Sequence, residues 1–135
     1  MAISDTSIIL DSSVWIAFFK QDDSQHQKAE DVLAQARSAQ IVVPEYVLVE
    51  VATALKQKGY QTAAKEFVAT VMHEGRNIFL PSDALARETS TCFCERSDKL
   101  SFTDTALLVL SQRYRVITFD KALARAMVTR QRKSR

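Results

Sequence analysis

A chain of 135 residues suits one domain with a substantial core and is short for two. Hydrophobic residues at 47% and charged residues at 25% exclude a disordered or collagen-like chain. The formal net charge is +2, but Arg130, Arg132, Lys133 and Arg135 lie in the acid-free stretch 129–135, and the remainder holds 14 basic against 16 acidic residues, a net of −2.

The first apolar run, residues 7–10, predicts a buried strand, and Asp11 follows it directly in I-I-L-D-S-S-V-W. Helical patterning covers 13–19 and 24–38. The run 40–43, ended by Pro44, predicts a second strand. Helices over 46–58 and 61–73 follow, closed by Gly59 and Gly75, both suited to the position just past a helix end. A third strand is expected over 77–80 before Pro81, then helices over 82–94 and 101–113. Residues 115–118 predict the last strand, with Asp120 close behind it in V-I-T-F-D-K, and a helix over 121–127. Strands alternating with helices of this size predict an α/β fold, a central parallel sheet of about four or five strands flanked by helices. One domain is expected over 1–128, with 129–135 a flexible basic tail, solvated and frayed. No uncharged apolar stretch spans a bilayer and no basic–apolar–small-residue leader opens the chain, so the expected location is cytoplasmic, with no membrane partner.

In an open parallel sheet, ligands bind outside the carboxyl ends of the strands. Asp11 and Asp120 both fall there, although each also reads, taken singly, as the cap of the helix that follows. Glu50, in Y-V-L-V-E-V-A-T-A-L, lies on or beside the stripe of Val47, Val51, Ala54 and Leu55. Buried there it would need a cation or hydrogen-bond donors; at the rim it would reach solvent or a Lys. Ser101 and Asp104 fit a capping box before an apolar run, and the start of such a helix points toward the same sheet edge. Four converging carboxylates repel one another, which predicts raised pKa values or a divalent cation. Oxygen-only ligands suit Mg²⁺ or Mn²⁺, which can activate water and stabilise the leaving oxygen of a phosphodiester, as one ion or two.

His26 and His73 stand apart from any metal-ligand spacing and are expected at the surface. Cys92 and Cys94 do not share a helix face and offer no disulfide framework, so both are expected as reduced thiols. Trp15, Phe18 and Phe19 could stack on a base or meet a partner protein, but core packing is the better reading for at least two of them. Lys20, Arg96, Lys99 and Lys121 flank the acidic edge and could hold RNA phosphates, against an ordinary role as solvated charges. A phosphoacceptor receiver is disfavoured, because one acid, not a pair, follows the first strand and Pro81-Ser82 follows the third. Ser12-Ser13 after Asp11 argues against a D-x-D phosphatase, and no G-x-G-x-x-G is present for a dinucleotide.

The segments I-I-L-D-S-S-V-W-I-A, P-E-Y-V-L-V-E-V-A-T-A-L, L-S-F-T-D-T-A-L-L and V-I-T-F-D-K-A-L, in that order and spacing, resemble the PIN domain, and most closely the VapC-like toxins of bacterial toxin–antitoxin pairs. The resemblance runs from about Ile8 to Met127. It implies a PIN-like fold and a Mg²⁺- or Mn²⁺-dependent endoribonuclease. Asp11, Glu50, Asp104 and Asp120 take the acidic positions that hold metal and carry catalysis. Ser13 matches the hydroxyl beside the acids and Thr118 the T-x-D threonine. An RNA substrate, a cognate antitoxin and a homodimer are implied partners. Two other readings of the same fold stay open: an RNA-processing nuclease without an antitoxin, and a PIN domain that binds RNA or protein without cleaving.

Overall fold

The computed structural model describes residues 7–73, 75 and 77–133. Within them β1 (Ser7–Leu10), α1 (Ser12–Phe19), α2 (His26–Gln35), β2 (Gln40–Pro44), α3 (Glu45–Gln57) and α4 (Gln61–His73) follow in order. β3 (Asn77–Leu80), α5 (Asp83–Glu95), α6 (Phe102–Leu110), β4 (Arg115–Ile117) and α7 (Lys121–Lys133) complete the chain. The four strands form one parallel sheet in the order β3-β2-β1-β4. β1 lies inside it, with Ile9 opposite Val42 on one side and Val116 on the other. Its continuous apolar run is what a strand covered on both faces requires, and all four residues are buried. The fold is the α/β arrangement expected, with four strands.

Two boundaries differ in an instructive way. α7 reaches Lys133, so residues 129–133, expected in the basic tail, form its last turns. No Gly or Pro interrupts them, and Arg130, Arg132 and Lys133 occupy the end where cations meet the negative pole of the helix. β4 stops at Ile117, one residue before the expected end, because Thr118 already belongs to the loop that shapes the site.

The core is built on faces readable in the sequence. Val47, Val51 and Leu55 of α3 recur at helical spacing and are fully enclosed. Residues 105–110 of α6 are buried without a break, as for a helix surrounded by its neighbours. After α3 the chain turns in a Schellman motif. The Tyr60 amide donates to the Leu55 carbonyl at 2.8 Å and the Gly59 amide to that of Lys56 at 3.1 Å. Gly59 has φ of +90°, which its missing Cβ allows. Trp15 packs edge-on against Phe67, 5.1 Å between centroids, and Phe19 meets the same ring at 5.9 Å. Phe18 in turn packs on Phe19 at 5.2 Å, so the aromatic residues of α1 serve the core, as preferred. Among the described residues no helix is long and apolar enough to cross a membrane.

Phe67 joins α4 to α1 and is 1% exposed. Phe67→Ala is expected to lower the unfolding free energy by about 3–5 kcal/mol, read as an earlier urea midpoint at unchanged slope.

Candidate active site

Parallel strands bring their carboxyl ends to one edge, and β1 is where the strand order turns, with β2 on one side and β4 on the other. Asp11 leaves β1 at that point and Asp120 follows β4. α3 begins directly after β2 and carries Glu50, while α6 carries Asp104 in its first turn.

Asp11 is only 3% exposed, and its carboxylate is held from several directions. Oδ1 accepts from the Ser12 amide at 2.8 Å, so Asp11 caps α1. Oδ2 accepts from Ser13 Oγ and from Thr118 Oγ1, each at 2.7 Å. Both hydroxyls are oriented in turn by backbone: the Phe119 amide donates to Ser13 Oγ at 3.1 Å, and the Asp120 amide to Thr118 Oγ1 at 3.0 Å. The loop after β4 therefore feeds two amide donors, through two hydroxyls, into one buried carboxylate. Charge-assisted bonds of this kind offset the desolvation of the charge.

Ser12 extends the network to α3. Its Oγ lies 2.6 Å from Glu50 Oε1 and 3.4 Å from Asp11 Oδ1, so its one proton goes to Glu50. Glu50 itself is exposed, which settles its placement at the rim, with a serine as its partner. Asp120 is exposed and caps α7, accepting from the Leu123 amide at 2.9 Å. The Asp104 amide donates to Ser101 Oγ at 3.0 Å, as the S-x-x-D spacing predicts. Capping and clustering thus coincide.

Burial pushes the half-buried Asp104 carboxyl above its ordinary value of 3.8, and the charges of Asp11, Asp120 and, least, Glu50 push it the same way against the Ser101 hydrogen bond. The fold therefore places all four acids in one electrostatic neighbourhood around Asp104. Among the described residues none of the four makes an ion pair.

The PIN domain family matches residues 8–127, from the first strand into the last helix. The chain belongs to the PIN domain family. The crystal structure of Mycobacterium tuberculosis VapC20, described as a sarcin-ricin loop cleaving toxin, is similar in fold, with a TM-score of 0.78 and 19% sequence identity. The similarity covers 88% of this chain and 94% of that one. A comparison with curated proteins finds no match.

In this PIN domain the acids are gathered without being drawn onto a common point: among the described residues no three His, Cys, Asp or Glu side chains are placed so that they could hold a metal ion together. Oxygen-only donors and negative charge not balanced by an ion pair fit a hard divalent cation, which takes carboxylates while keeping several waters. Three of the four acids also sit at helix N-termini, whose partial positive charge lowers the cost of gathering them.

The basic residues singled out in the sequence are scattered around this centre. Lys121 opens α7 beside Asp120, and Lys99 is exposed two residues before Ser101. Arg96, in the same loop as Lys99, is paired with Asp98. Lys20 closes α1 at the end away from Asp11, about 13.5 Å along the axis at 1.5 Å per residue. Lys28 of α2, unmarked by any sequence pattern, stands 4.8 Å from the centroid of the Phe119 ring, in the loop that ends at Asp120. Ser12 also escaped sequence reasoning, although a hydroxyl directly after a strand-end acid was a usable signal. His26, expected at the surface, is half-buried: Nδ1 lies 2.8 Å from the Ala17 carbonyl and Nε2 3.2 Å from Glu30. Cys92 and Cys94 are free thiols. A groove of about 920 Å³ lined by Phe18, Phe19, Asp22, His26 and Tyr60, among others, holds none of the four acids.

Two outcomes follow from this geometry. Thr118→Val keeps the side-chain shape and deletes a donor to buried Asp11, which is expected to cost about 1.5–3 kcal/mol in urea denaturation. Because folding raises the affinity of Asp104 for its proton, stability falls as pH rises from 3.8 through the raised value. Asp104→Asn removes that loss. In EDTA the variant is expected to unfold at higher urea than the parent at neutral pH, with the gap closing below 3.8.

Proposed function

We propose that this PIN domain is a divalent-metal-dependent endoribonuclease that hydrolyses RNA phosphodiesters as the toxin of a toxin–antitoxin pair. The observation that carries the reading is the set of four carboxylates around Asp104, none of which, among the described residues, is paired with a cationic side chain. The fold shared with VapC20 supports the toxin role.

Asp11, Glu50, Asp104 and Asp120 would hold Mg²⁺ or Mn²⁺. Such an ion supplies Lewis-acid polarisation of the phosphodiester and eases ionisation of water. The protein's own part is to keep the acids in place. Ser13 and Thr118 fix the position of the Asp11 carboxylate, and Ser12 ties Glu50 to the same turn. The carboxylates that position the ion would also help to remove the proton of the attacking water. The water oxygen joins phosphorus, the ester bond to the leaving oxygen breaks, and that oxygen is protonated. Lys121, Lys99, Arg96 and Lys20 are proposed phosphate contacts. A cognate antitoxin, self-association as a homodimer and action in the cytoplasm complete the proposal.

The test is cleavage of tRNA, rRNA and mRNA pools by the purified chain with Mg²⁺ or Mn²⁺, against EDTA and against Asp104→Asn. Cleavage is expected to vanish in EDTA and to fall on the order of 10²–10³-fold in the variant. Asp104→Asn is a cleaner probe than Asp11→Asn, because Asp11 also anchors the turn. Cutting that survives EDTA or the Asp104 substitution would sink this mechanism. RNA binding without any cutting would make this a binding domain.

A further inference from the structure

The side chain of Phe119, in the loop after β4, has no part in the chemistry above. Phe119 lies between Thr118 and Asp120, so the two peptide planes that meet at its Cα carry two amide donors of the site. Its own amide donates to Ser13 Oγ at 3.1 Å, and the Asp120 amide donates to Thr118 Oγ1 at 3.0 Å. A rotation of the backbone at Phe119 would turn both donors away from the hydroxyls that hold Asp11. The ring is half-buried and packs against the core, and Lys28 Nζ lies 4.8 Å from its centroid. That cation comes from α2, which carries none of the four acids. Two contacts fix α2 on either side of it: Ala29 is fully buried, and His26 Nδ1 lies 2.8 Å from the Ala17 carbonyl of α1. Asp31 stands three residues further along α2, within reach of Lys28, yet it accepts from Gln27 Nε2 at 3.1 Å. Among the described residues Lys28 makes no ion pair, and the ring is the partner it meets.

We infer that Lys28 is a positioning residue of the acid cluster: through the Phe119 ring it sets the loop 118–120 that braces Asp11 and carries Asp120. The inference rests on the nuclease reading above. A half-buried ring leaves part of its surface to solvent, where only a neighbour restrains it from changing rotamer. An apolar neighbour would cover that surface, but a cation over the ring adds attraction to its π-face. One such contact is weak, so it acts on the population of the braced loop and not on the fold. The choice of partner also suits the site. A lysine that gripped this loop through Asp120 would occupy a carboxylate oxygen that a metal ion needs, whereas a grip on the ring leaves the carboxylates open.

The experiment first reads the loop without metal or RNA, by hydrogen exchange at single amides of the full chain in EDTA. Lys28→Met keeps an apolar stem and removes the cation; it is expected to speed exchange of the Phe119 and Asp120 amides about threefold. Amides of β1 and α6 are expected to keep the parent's rates. Lys28→Arg, whose guanidinium also stacks on a ring, is expected to restore slow exchange. Phe119→Leu is expected to speed the same two amides, and adding Lys28→Met to it should change nothing more. In RNA cleavage with Mg²⁺, Lys28→Met is expected to lower kcat about threefold at unchanged KM, with Lys28→Arg at the parent's rate. Unchanged exchange in Lys28→Met, or an equal rise at every amide, would overturn the inference. So would additive effects of the two substitutions. A raised KM at unchanged kcat, equally large in the Phe119→Leu background, would make Lys28 a phosphate contact instead. A parent chain that does not cut removes the nuclease reading, while the exchange rates still decide whether Lys28 holds the loop.

Discussion

The buried carboxylate of Asp11 is the constraint on which the rest of the site depends. A charge shielded from water is tolerable only where donors surround it, and here they come from α1 and from the loop after β4. That requires β4 to lie beside β1 in the observed register, Leu10 opposite Ile117, with the Asp11 amide donating to the Ile117 carbonyl at 2.9 Å. A slip by one residue would carry Thr118 away from Asp11 and leave the charge short of a donor. The pairing of the two strands and the integrity of the acid cluster are therefore one requirement.

The remaining acids are assembled against their mutual repulsion. The core makes this possible: α6 is enclosed over residues 105–110, so Asp104 is held at the start of a helix that cannot shift without breaking its packing. Helix N-termini ease the electrostatic cost for Asp11, Asp104 and Asp120. Glu50, inside α3, lacks that help and lies in solvent instead. A fold that gathers like charges at one sheet edge gives up stability there.

Much of the architecture was legible because its signals are local. Unbroken apolar runs ended by Pro44 and Pro81 marked the strands, and Gly59 marked a helix end through its positive φ. Asp11 and Asp120 were legible because adjacency to a strand end survives folding whatever the loops do. Glu50 was ambiguous for a physical reason: one helical face can be core or rim according to what packs on it, and only the contact with Ser12 decides. α7 outran its expected end because a helix without a breaker continues as long as its termini are satisfied.

The amino-acid sequence by itself determined the order of strands and helices, the parallel sheet and the residue types able to bind a hard cation. All of these depend on composition, periodicity and neighbours along the chain. Tertiary structure alone decided which side chains meet. It set Ser12 between Asp11 and Glu50, brought Lys28 over Phe119, and joined Phe93, Phe102 and Tyr46 from three helices. Those contacts join residues from separate elements, and their distances follow from the packing of helices against one sheet, which no local pattern encodes.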